Sequence, residues 1–112
     1  MAHIVLDEEH EIYWGSSNSI FKAVVEEAMK EVGKDSPSHK FLFMEMLHGG
    51  LDFYKLEKQE QQKFFDSTKR LLEQQKKRLA ETPKKDYAYP YVEGMLNKLE
   101  ELVAKIEEVI ET

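Results

Sequence analysis

The chain has 112 residues, 41% of them hydrophobic and 34% charged, a length that suits one core and a charge content above the roughly 25% usual in globular domains. It contains no cysteine, which excludes disulfides, thiolate nucleophiles, zinc–thiolate sites and iron–sulfur ligation. Its net charge of −6 opposes general affinity for phosphate backbones and anionic lipid, so a basic protein is a more natural partner than nucleic acid or a membrane.

The segment from Met1 to His10 lacks the basic and apolar regions of a secretory signal, and no apolar run approaches the ~18 residues of a membrane span. A reducing cytoplasm is therefore the expected location. No repeat or linker divides the sequence, so residues 1–112 are read as a single helical domain. The charge is uneven: acidic residues dominate up to Gln62, a basic island runs from Lys63 to Asp86, and the tail is acidic again.

The chain starts with two apolar triplets, Ile4-Val5-Leu6 and Ile12-Tyr13-Trp14, on either side of Asp7-Glu8-Glu9-His10-Glu11. They suit either short paired strands or a short helix capped by Asp7. The helix is favoured, because no Gly or Asn is present for a tight hairpin turn.

Ser16, Ser17, Asn18 and Ser19 then offer N-caps to Ile20, Phe21, Val24, Val25, Ala28, Met29 and Val32, whose spacing predicts an amphipathic helix stopped by Gly33. Ser36-Pro37 repeats the start signal. The following Phe41-Leu42-Phe43-Met44-Glu45-Met46-Leu47 is apolar nearly all round, which predicts burial on several sides, in the centre of the fold or at a subunit interface. Gly49-Gly50 ends it, and Leu51 to Leu56 reads as linker or first helical turn.

Strong helix formers fill residues 57–81, with Phe64, Phe65, Thr68, Leu71, Leu72, Gln75 and Leu79 on one stripe, until Thr82-Pro83 ends the helix. Pro90 starts another that runs to the C-terminus. Here Val92, Leu99 and Ile106 repeat at seven, as do Met95, Leu102 and Val109, and Leu96, Val103 and Ile110. Three apolar positions in seven make the wide face of a bundle helix. The short connection makes these two helices antiparallel neighbours. The expected fold is an all-α bundle of about four main helices, with a long C-terminal antiparallel helical hairpin and a short irregular or helical N-terminal segment.

Several constellations invite chemistry. Glu45 and His48 form a single Glu-x-x-His unit, whereas a dinuclear carboxylate site needs two and further glutamates; a histidine at a helix C-terminus is also explained by the dipole. Glu26, Glu27, Glu31 and Asp35, with Glu45 and Asp52, loosely resemble the magnesium cluster of small all-α nucleotide pyrophosphohydrolases. That resemblance implies a metal-dependent hydrolase acting on a nucleotide, with magnesium or manganese as cofactor. The same spacing is that of any solvated helix face, and no phosphate-gripping glycine loop accompanies it. His3, His10 and His39 have no partner at ligand spacing beyond Asp7-x-x-His10, and no catalytic triad is assigned. In the basic island, Phe64 and Phe65 belong to the apolar stripe, and Asp66, Glu73 and Glu81 weaken the field.

Two features stand out. The last helix carries Glu93, Glu100 and Glu107 in one row beside Glu101 and Glu108, with Glu111 near the end, where carboxylates oppose the helix dipole. Trp14, Tyr87, Tyr89 and Tyr91, with Tyr13, supply the large, polar-tipped side chains favoured at binding hot spots. The leading expectation is a non-catalytic protein-binding module with no cofactor or metal. It is a small acidic inhibitor of the immunity-protein or antitoxin type, binding a basic partner such as a nuclease toxin through those glutamates and aromatics. The alternatives are the metal-dependent hydrolase and a homodimeric scaffold joined through Phe41 to Leu47.

Overall fold

In the computed structural model, which describes residues 1–111, the chain opens with strands where the sequence reading favours a helix. β1 (Ala2–Asp7) buries Ala2, Ile4 and Leu6 and turns His3 and Val5 outward, the two-residue alternation of a half-buried strand. β2 (Ile12–Ser16) pairs with it antiparallel, placing Ile4 opposite Trp14 and Val5 opposite Tyr13.

The turn between them manages without Gly or Asn. Asp7 Oδ1 accepts the His10 N–H at 3.1 Å, and Oδ2 accepts from the His10 ring at 2.8 Å. Glu11 adopts a left-handed φ of 54°, and a bulge shifts the register between Val5 and Asp7. The short carboxylate that could cap a helix captures the same kind of N–H in a turn, and the period-two burial on both sides decides between the two uses.

After β2, Ser17 accepts the Ile20 N–H and caps α1 (Asn18–Val32), which ends at Gly33 with φ 85°. Ser36 caps α2 (Pro37–His48), and left-handed Gly49 closes it. Where the sequence reads as linker or first helical turn, Gly50–Asp52 instead pairs in parallel with β1 as β3, which puts β1 in the centre of a three-stranded sheet of order β2-β1-β3. Gly50 leaves room for a neighbour: a Cβ there would stand 3.1 Å from the His3 ring.

A short 3-10 turn, Phe53–Lys55, leads into α3 (Lys58–Glu81), and a seven-residue loop leads into α4 (Tyr89–Glu111). The loop is tied locally: Thr82 Oγ1 donates to the Arg78 carbonyl at 2.7 Å, and Asp86 Oδ1 accepts the Ala88 N–H at 2.9 Å. The predicted terminal helical hairpin is thus present.

The all-α fold class is overturned by the sheet. The chain is 69% helical and 13% strand, an α+β arrangement in which one sheet face packs on the helices. Ile4, Leu6, Trp14 and Leu51 from that face meet Phe21, Val24, Phe64, Leu99, Leu102 and Ile106 in one core. Phe53 and Phe64 meet edge to face at 5.3 Å.

A second correction concerns the central position expected for α2, which is not buried on several sides within the single chain. Only Leu42 is fully covered, while Phe43, Met44 and Leu47 are 43%, 44% and 62% exposed. The helix lies at the margin of the fold, against α1 and β3, so one face suffices to attach it.

Candidate functional site

The site begins with how α4 is held. Leu99, Leu102 and Ile106 are fully buried and Val92 nearly so, which turns the opposite side of the helix to solvent. One flank is fastened to β2: the Trp14 indole N–H donates to the Lys98 carbonyl at 2.9 Å, and Lys105 Nζ donates to the Tyr13 carbonyl. Glu101 bridges both lysines of this flank, at 3.4 Å from each.

The other flank carries Glu93, Glu100 and Glu107, all exposed, with exposed Glu111 on the same side, whereas exposed Glu108 follows Glu101 by one heptad and lines a cleft with Asp7, His10 and Ile12. Among the described residues none of these five has an ion pair within the protein, in contrast to Glu101. The last turn of α4 also has no basic residue to offset the partial negative charge of its C-terminal carbonyls. An unneutralised row of carboxylates results, backed by a rigid packed helix.

The structure separates the expected aromatic anchors. Trp14 is 1% exposed and fastens β2 to α4, so its assignment as a partner-binding anchor is corrected: an indole buried with its N–H satisfied is a core group. Tyr87 and Tyr91 are 87% and 79% exposed, and Tyr89 is half-buried. At 3.6 residues per turn, Tyr91 lies about 160° around α4 from Glu93, whereas Tyr89 lies on the same side as Glu93. Tyr91 instead shares a shallow cleft with Ser17, Ser19 and Arg78, and Tyr87 follows Lys84 and Lys85 in the loop. The predicted surface therefore resolves into an acidic row with Tyr89 at its start, and Tyr91 on a different side of α4.

The carboxylates of the hydrolase expectation are not gathered. Glu26 pairs with Lys22, Glu27 with Lys30 at 3.3 Å and Glu31 with Arg70 at 3.0 Å. Glu45 accepts the Asp52 N–H at 3.2 Å, and the Asp52 carboxylate faces Lys55 at 3.3 Å. Among the described residues no group of three or more His, Asp or Glu side chains converges on a point where an ion could sit.

The basic island is partly neutralised by Glu60, Asp66, Glu31 and Glu73, which pair with Lys63, Lys69, Arg70 and Lys76. Phe64 and Phe65 are buried, which removes them as a stacking platform for bases. Among the described residues no helix is long and apolar enough to cross a membrane.

At the tip of the β-hairpin, the hydrogen bond to Asp7 raises the His10 pKa above the ordinary imidazole value, and the same bond lowers that of Asp7. This pair organises the turn. Sequence reasoning left open whether the core or a second copy covers the apolar circumference of α2, and what it did not settle is the exposure of Phe43, Met44 and Leu47 on the single chain. Lys40, seven residues before Leu47, was the available signal, because a helix buried on all sides has no place for a lysine on that row.

Comparison of the chain with protein-family models, with curated proteins and with solved structures finds no match.

Proposed function

We propose that this chain is a non-catalytic binding module whose α4 face, Glu93, Glu100 and Glu107 with Tyr89, engages a basic partner protein. A small cytoplasmic inhibitor of the immunity-protein or antitoxin type, covering the cationic active site of a nuclease toxin, is the concrete form of this reading. The observation that carries it is the row of exposed carboxylates on α4 that have no cationic partner among the described residues. Charge of that kind costs stability and speeds encounter with a positively charged surface.

Replacing Glu93, Glu100 and Glu107 together with Lys tests the assignment. The variant should fold, since all three side chains are exposed, and should lose salt-dependent capture of a basic protein from the native host. Equal capture by both proteins at low and high salt would refute the assigned surface. Glu101→Lys is a poor substitute, because it also disturbs Lys98 and Lys105 beside β2.

A further inference from the structure

A groove of about 720 Å³ opens between the exposed side of α2 and the start of α1. Its apolar side chains are Met1, Phe21, Phe43, Met46 and Leu47. Its ionisable side chains are His3, Lys22 and His48, and no carboxylate lines it. Lys40 extends the basic rim on the same side of α2 as Leu47. In a chain of net charge −6, an apolar groove lined by bases and by no carboxylate has a composition opposite to that of the whole.

Glu45 lies about 160° around α2 from Leu47, and Glu26 pairs with Lys22 at 3.8 Å between exposed side chains that solvent screens, while among the described residues Lys40 has no ion pair. The ridge itself has helical spacing. Phe43 and Leu47 stand one turn apart with Met44 beside them, the pattern that interdigitates with i and i+4 side chains of another helix.

We propose that this groove receives an acidic amphipathic helix of a partner protein, with its apolar side chains against Phe43 and Leu47 and its carboxylates toward Lys22, Lys40 and His48. A second copy of the chain is a poorer occupant, since two-fold packing of α2 on itself would bring the same bases together. A small amphiphile is also poorer, because side chains this exposed cannot enclose most of its surface. The proposal uses none of the α4 carboxylates and stands or falls separately from the reading of that face.

The test uses the full chain, isotopically labelled for amide NMR, and three probes. These are a synthetic helical peptide with Leu at spacings of three and four and Glu elsewhere, its counterpart with Lys for Glu, and decanoate. The acidic peptide should shift the amides of Lys22, Phe43, Leu47 and His48 and bind at least about tenfold more tightly than the basic one. Leu47→Glu and Lys22→Glu should each weaken it by about tenfold. Equal affinity for the two peptides, shifts confined to other residues, or unchanged binding by both variants would overturn the proposal. So would occupation of the groove by decanoate but not by the acidic peptide, or light scattering that shows a dimer abolished by Leu47→Glu.

Discussion

Helices α2 and α4 present opposite relations between sequence and burial. α4 has a regular three-in-seven apolar pattern, and its Leu99, Leu102 and Ile106 are fully covered by the core. α2 is richer in apolar residues around its circumference, yet only Leu42 is fully covered. Periodicity reports which face is committed to the core, whereas apolar content reports only how much surface could be buried if something lay against it. What remains uncovered differs too: carboxylates on α4, and Phe43, Met44 and Leu47 on α2.

The sharpest way to break this contrast is truncation on each helix. Leu102→Ala should cost about 2–5 kcal/mol in urea denaturation, the usual cost of a cavity in a packed core. Leu47→Ala should stay within about 0.5 kcal/mol of the parent. A comparable loss at Leu47 would mean that α2 is covered in solution.

Next in size, Trp14→Phe removes the indole donor to the Lys98 carbonyl and should cost about 1–3 kcal/mol. The parent's tryptophan emission should be blue-shifted and resist acrylamide; a red-shifted, readily quenched band would place the indole in water and detach β2 from α4.

Charge on α4 gives a smaller effect of opposite sign. Glu108→Lys and Glu111→Lys should each stabilise the chain by about 0.3–1 kcal/mol at low salt, because the cation complements the helix C-terminus. Thermal midpoints measured at low and high salt check this, and the gain should shrink as salt rises.

The smallest effect concerns the hairpin turn. His10, whose pKa is raised, contributes stability that is fully present below its unfolded value and lost as pH rises through its folded value. Asp7, whose pKa is lowered, contributes stability that is present above its unfolded value and lost as pH falls through its folded value. The pair therefore supports the turn between the lowered Asp7 value and the raised His10 value. An NMR titration should show His10 above the ordinary 6.5, returning toward it in Asp7→Asn; an unshifted His10 in the parent would remove the ion pair from the turn.

Much of the helical frame was legible because its signals are local. Ser17, Gly33, Ser36-Pro37 and Thr82-Pro83 lie within one turn of the boundaries they set, and the exposure of Glu93, Glu100 and Glu107 follows from the heptad spacing of their apolar neighbours. The sheet was not legible because its partners are remote. β3 has three residues, too few to show alternation, and pairs with His3, Ile4 and Val5 only after two helices have intervened. Trp14 was misplaced for the same reason: an isolated indole reads as an anchor, and only the arrival of Lys98 from the far end of the chain makes it a buried donor.

The proposed role of α4 is tested most directly by following stability and capture together in the Glu93→Lys, Glu100→Lys, Glu107→Lys triple variant. The account predicts that the variant melts no lower than the parent while a basic host protein, retained by the parent at low salt and released at high salt, no longer binds. Retention of the same protein by both chains, or capture by the parent only of acidic proteins, would contradict it.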